Sequence, residues 1–115
     1  MEDQRESIVT LTKHSINRIK QRVGIKNRCG QIGIAENAFL FGVSYDEAVG
    51  AERKYIESRM NDNPEYFGRE VKLYRDVLFV FADNRLITVL PPDRTYCKKL
   101  EAQRRKKNHS CRVVA

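Results

Sequence analysis

Residues 77–90 read VLFVFADNRLITVL, and this stretch decides the fold. Val77-Leu-Phe-Val-Phe-Ala82 is apolar on both faces, the pattern of a strand buried inside a sheet. Arg85–Leu90 is a second run rich in β-branched residues. Asp83-Asn84 between them forms a two-residue turn, because both side chains tolerate positive φ and bond their own backbone. A hairpin follows, and Pro91-Pro92 prevents the sheet from continuing.

Upstream, Val71–Tyr74 reads as a third strand and Ser7–Thr12 (SIVTLT) as a fourth. Thr12 can cap a helix over Lys13–Val23 that Gly24 stops. A second helix is expected over Gln31–Phe41, ended by Gly42. Ser44-Tyr-Asp-Glu47 has the spacing of a capping box and predicts a third helix, with Ala48, Ala51, Tyr55, Ile56 and Met60 as its apolar stripe. Asn61-Asp-Asn-Pro64 ends it. A last helix from about Asp93 turns Tyr96 and Leu100 inward and dissolves near Arg104-Arg-Lys-Lys-Asn. The order β-α-α-α-β-β-β-α predicts an α+β domain, an antiparallel sheet of about four strands with helices on one face. Residues 1–93 form that domain, and residues 94–115 are a C-terminal helix and basic tail.

A chain of 115 residues carries one core. No apolar run approaches the roughly 18 residues of a membrane span, so no membrane partner is expected. The start, MEDQRES, lacks the apolar core of a secretory signal. Cys29, Cys97 and Cys111 are an odd set without a CxxC pair, which argues against disulfides and a zinc site. His109 and Cys111 have no companions for a metal. The expected setting is the cytoplasm of a bacterial host, with no metal and no cofactor.

The net charge of +7 is unevenly placed. Residues 1–93 balance fourteen cations against fourteen carboxylates, so the whole excess lies in the last segment, which includes Arg104, Arg105, Lys106 and Lys107. A second cluster hides in the neutral part: Lys13, Arg18, Lys20, Arg22, Lys26 and Arg28 occur without an intervening carboxylate. Two basic concentrations point to a polyanion, bound through phosphate neutralisation.

The first helix sharpens this. At 100° per residue from His14, Arg18 falls at about 40° and Arg22 at about 80°, while Ile16, Ile19 and Val23 lie near 140–200°. His14, Arg18 and Arg22 thus form a stripe bordering the core face. Stacked cations repel, and positive charge in a first turn opposes the helix dipole, so the stripe costs stability and suggests a use. Such surroundings should disfavour the charged imidazole and keep His14 available as a base. Thr88, interrupting Leu86-Ile-Thr-Val-Leu90, either pairs across the sheet or exposes its hydroxyl beside this helix. His14 could also simply bond a nearby carbonyl. Tyr66, Phe67 and Tyr74 could stack on bases or pack in the core. There is no P-loop, GxGxxG, HExxH or paired-carboxylate motif.

The segments LTKHSINRIKQRVG (11–24), ENAFLFGVSYDEAVGAERKYIES (36–58) and Gly-Arg-Glu-Val (68–71) followed by DVLFVFADNRLITVLPPD (76–93) resemble a family of small proteins encoded by bacteria and their phages. The resemblance covers roughly residues 8–92. Its strand-helix start with a histidine, followed by a three-strand meander, is similar to the domains grouped with barnase, EndoU, colicin-type and RelE-type RNases. This implies an RNA-binding protein of RNase-like fold, or a metal-independent endoribonuclease. His14 would be the base, Lys13 an acid or charge stabiliser, and Thr88 a positioning group. Arg18 and Arg22, with Lys20, Lys26, Arg28 and residues 104–107, would bind nucleic acid, RNA ahead of DNA. The phage setting raises an alternative: a non-catalytic inhibitor of a host nucleic-acid-guided defence such as a CRISPR effector. A tethered virion or accessory protein is a third.

Overall fold

The computed structural model describes residues 7–91 and 94–114, residue 94 and residues 107–114 as backbone only. Expectations for Pro92, Asp93 and the side chains of Lys107, His109 and Cys111 fall outside the described residues. The elements are β1 (Thr10–Leu11), α1 (Lys13–Arg22), α2 (Arg28–Phe41), α3 (Ala51–Asp62), a 3-10 turn (Pro64–Tyr66), β2 (Glu70–Tyr74), β3 (Val77–Ala82), β4 (Arg85–Leu90) and α4 (Arg94–Val114). The expected order is present, and the fold is α+β.

The sheet runs β1-β4-β3-β2. β2, β3 and β4 are the antiparallel meander, with β3 internal. Asp83 takes φ 55° in the β3–β4 turn, while Arg75 and Asp76 take 53° and 63° in the β2–β3 turn. β1 departs from the expectation in two ways. It is short, because Thr12 leaves the strand to cap α1, and it runs parallel to β4. Asn84 anchors it: its carbonyl accepts from Thr10 N–H at 2.9 Å, and its Nδ2 donates to the carbonyl of Ile8 at 3.0 Å.

Helices cover both faces of the sheet, which corrects the expectation of one. Phe79 and Phe81 pack with Ile19 of α1 and Ile34, Ala35 and Ala38 of α2. Leu78 and Val80, their neighbours of opposite parity, pack with Tyr55 and Ile56 of α3 and Leu100 of α4. The reason lies in β3 itself, since a strand apolar on both sides exposes one of them unless each is covered.

Two helix starts also differ. α2 begins at Arg28 because Asn27 Oδ1 accepts from Gly30 N–H at 2.6 Å, a cap that starts the helix three residues early. Only half of the Ser44 box forms: Glu47 Oε1 accepts from Ser44 N–H and Oγ, both at 3.1 Å, but the Glu47 N–H goes to the Ser44 carbonyl instead of the hydroxyl, and the result is an isolated turn. Gly50 at φ 59° breaks the chain before α3 begins. A Cβ on Gly50 would lie 2.6 Å from Gln103 Oε1, which accepts from Ala51 N–H at 2.7 Å and so ties α4 to the start of α3. α4 does not dissolve at Arg104. It continues to Val114, and Arg104 makes a two-pronged pair with Asp76 at 2.7 and 3.3 Å. Among the described residues no helix is long and apolar enough to cross a membrane.

Candidate functional site

β1 pairs only with Arg85 and Leu86, so the rest of β4 has no strand on its outer side. α1 lies along that stretch and supplies what a strand would have supplied. Thr12 Oγ1 donates to the carbonyl of Leu86 at 3.4 Å, and an Arg22 guanidinium N–H donates to the carbonyl of Val89 at 2.6 Å.

Thr12 also sets the direction of the helix. Its Oγ1 accepts from Ser15 N–H at 3.0 Å, while Ser15 Oγ accepts from Thr12 N–H at 2.8 Å, a reciprocal cap with serine in place of the usual Glu or Gln. The next residues, Lys13 and His14, therefore start the helix at a fixed rotation over β4.

A bulge in β4 completes the arrangement. Val80 pairs with Thr88 but Phe81 pairs with Leu86, leaving Ile87 as the extra residue. Leu86 and Val89 consequently join the same core cluster although three residues separate them, which plain alternation forbids. Thr88 is 1% exposed, and its Oγ1 lies 3.2 Å from His14 Nε2. Arg18 Nε–H donates to the same imidazole nitrogen at 3.3 Å, and another Arg18 N–H donates to Gln21 Oε1 at 2.8 Å. With Arg18 as donor, Nε2 is the acceptor, and the Thr88 hydroxyl touches the same nitrogen. His14 itself is exposed. A basic nitrogen is thus held between a buried hydroxyl and a guanidinium at an open edge.

Arg22 lies deeper. Burial pushes its pKa down from the ordinary arginine value, the nearby guanidinium groups of Arg18 and Arg59 push it further, and Tyr66 acts in the opposite direction. Arg22 thus ends on β4 while Arg59, on α3, is among the charges that act on it. Sequence reasoning missed Arg59. The one signal for it is a cation four residues after the buried Tyr55, on an otherwise apolar stripe of α3.

Of the remaining expected residues, Lys13 and Lys20 are exposed on α1, turned about 100° or more from His14 around the helix. Lys26 and Arg28 are exposed between α1 and α2 and at the start of α2. No hydrogen bond joins these four to His14 or Thr88. The tail cations are elsewhere: Arg104 is bound to Asp76, Arg105 lies 3.9 Å from Glu101, and Lys106 is exposed. Tyr74 packs edge-on to Phe79, Tyr66 is half-buried, and Phe67 is exposed. A cleft of about 490 Å³ lined by Tyr45, Ile56, Met60 and Phe67 includes none of the expected site residues. Among the described residues no three His, Cys, Asp or Glu side chains are grouped as metal ligands.

No protein-family model matches the chain, and neither a curated protein nor a solved structure matches it.

Proposed function

We propose that this protein binds RNA and cleaves it without a metal, using the open edge of β4 as its active site. The observation that carries the reading is the meeting of His14 Nε2 with Thr88 Oγ1 at 3.2 Å and Arg18 Nε at 3.3 Å, with Arg22 held on the Val89 carbonyl one helical turn after Arg18. His14 Nε2 removes the proton of a ribose 2′-hydroxyl that takes the place of Arg18 at its one lone pair, while Arg18 turns to the phosphate. The 2′-oxygen attacks phosphorus, the P–O5′ bond breaks, and a 2′,3′-cyclic phosphate and a 5′-hydroxyl are formed. Arg18 and Arg22 stabilise the extra negative charge of the phosphorane. The leaving 5′-oxygen takes its proton from solvent, because Lys13 is turned about 100° from His14 around the helix. Thr88 holds the imidazole at the required orientation. The partner is RNA rather than DNA because the mechanism needs the 2′-hydroxyl.

The test is incubation of the pure protein with total RNA, with and without EDTA. Cleavage indifferent to EDTA, leaving cyclic phosphate ends, is expected. Intact RNA across pH 5–9 would overturn the catalytic assignment.

One observation favours the second reading, an inhibitor that binds a host effector protein. Leu40, Phe41 and Val49 are 58%, 70% and 61% exposed and line one cleft of about 350 Å³ with Glu47, Glu52 and Lys72. Such a protein would be harmless on expression, and its activity would survive loss of His14.

A further inference from the structure

β2 is the outer strand on the side of the sheet away from β1 and His14, and only part of it is covered. Leu73 exchanges both of its backbone bonds with Val43, at 2.8 and 2.9 Å. Backbone groups two residues apart in a strand point the same way, so the N–H and carbonyl of Val71 also face outward. Among the described residues no strand lies beside Val71 on that side. An unpaired edge of this kind accepts an added strand.

A groove follows the edge. One cleft of about 460 Å³ lies between residues 69–72 and the turn at residues 44–47. It joins the cleft of about 490 Å³ through Tyr45, Arg69 and Val71, which line both, and the cleft of about 350 Å³ through Glu47 and Lys72. Gly42 lets the end of α2 close on β2, since a Cβ there would lie 2.8 Å from the Lys72 Cβ. The two ends of the groove are apolar, with Phe67 at one and Leu40, Phe41 and Val49 at the other. Among the described residues five large apolar side chains are exposed, and these are four of them; the fifth, Ile8, precedes β1. Exposed apolar groups gathered on one surface mark an interaction site.

The charge of the groove selects the occupant. Its lining carries Asp46, Glu47, Glu52, Glu57 and Glu70 against Arg69 and Lys72. Lys72 is spent on Glu70 at 3.4 Å. Arg53 stacks 4.4 Å over the Tyr45 ring, whose hydroxyl donates to Glu57 at 2.6 Å. Even with Arg53 counted, carboxylates outnumber cations here, on a chain whose net charge is +7. Such a surface repels a nucleic-acid backbone and attracts a basic polypeptide.

We propose that an extended segment of a partner protein, alternating apolar and basic residues, adds to the sheet as a strand beside Val71. Its backbone pairs with the Val71 N–H and carbonyl, its apolar side chains cover the two apolar ends, and its cations meet the carboxylates of the lining. This docking surface goes beyond the RNase reading and uses the opposite edge of the sheet.

The probe is a short synthetic peptide alternating lysine and valine, titrated into the isotope-labelled full chain. It should shift the Val71 amide resonance and slow its hydrogen exchange. The same peptide with glutamate for lysine should bind weaker by about tenfold or more. A version N-methylated at alternate backbone nitrogens should leave Val71 unprotected. Phe41→Ser, at a side chain 70% exposed, should keep the fold and weaken binding by about threefold or more. A Val71 amide indifferent to the lysine peptide up to about 1 mM, or equal binding of the glutamate peptide, overturns the proposal. A free protein that sediments as a dimer with Val71 already protected puts a second copy in the groove and overturns the partner. Peptide binding by a protein that never cuts RNA keeps the groove and removes the RNase reading. Cleavage that depends on His14 in a protein that ignores the peptide does the reverse.

Discussion

Replacing Thr88 by valine separates a positioning hydroxyl from a packing residue. The side chain is 1% exposed and sits on a central part of β4, so its methyl and its β-branched shape contribute to the core. Valine keeps both. What is lost is one hydrogen bond of 3.2 Å to an imidazole that is itself exposed and can bond water instead. A net hydrogen bond contributes about 0.5–1.5 kcal/mol, and part of that is offset because a hydroxyl no longer has to be buried. The expected destabilisation is below about 1 kcal/mol, or a fall in Tm of less than roughly 5 °C for a domain of this size. Cleavage should suffer far more. His14 loses the contact that fixes its ring from the core side, and a misplaced catalytic group costs about 10- to 100-fold in rate. Thermal unfolding by circular dichroism and kcat with KM on a defined oligonucleotide give the two numbers, and kcat should fall while KM stays constant. A Tm lower by more than about 10 °C would make Thr88 a core anchor. A kcat within twofold of wild type would mean that His14 is held by something else.

Thr12→Ala removes the reciprocal cap of α1 and should cost about 1–2 kcal/mol in chemical denaturation; a change below about 0.3 kcal/mol would contradict its capping role. Leu100 is 2% exposed in the cluster under α3 and α4, so Leu100→Ala should cost about 2–5 kcal/mol. Ending the chain at residue 93 should therefore unfold the domain as well as remove its net charge, and a truncated protein with wild-type Tm would refute this. The Glu47 carboxyl is held below the ordinary glutamate range by hydrogen bonds from the Ser44 backbone N–H and hydroxyl. Its folded pKa lies below its unfolded one, so the turn's contribution is complete above the ordinary glutamate range and is lost as pH falls through the lowered value. Ser44→Ala should move the Glu47 titration midpoint upward by NMR, and an unmoved midpoint would show that the backbone bond alone sets it.

The hairpin was legible because its determinants are local: two apolar runs and a turn dipeptide that accepts positive φ at Asp83. β3 was legible as a central strand, yet the same two-sided pattern also demands helices on both faces, a consequence that becomes visible only when α3 and α4 are seen to pack on Leu78 and Val80. Asn27 was a cap hidden by the glycines that follow it, and the Ser44 spacing yielded only one half of a box, in a turn that ends before Gly50 and starts no helix. At the site, the His14–Arg18–Arg22 stripe followed from helix arithmetic alone. The meeting of His14 with Thr88 was one of two open alternatives, because it depends on where α1 lies along the open edge of β4. Arg59 was out of reach. That its charge acts on Arg22 depends on how two separate helices are placed around the sheet, and no spacing within either helix carries that information.

The central claim is that the His14 imidazole acts on RNA, and the direct measurement is the pH–rate profile of wild-type protein and His14→Ala on one defined oligoribonucleotide in EDTA. Wild type should cleave. His14→Ala should be slower by about 10²–10⁴ at every pH, while its affinity for the 2′-O-methyl form stays within about threefold. Equal rates for the two proteins, or a wild type that leaves the RNA whole at every pH, would contradict the claim.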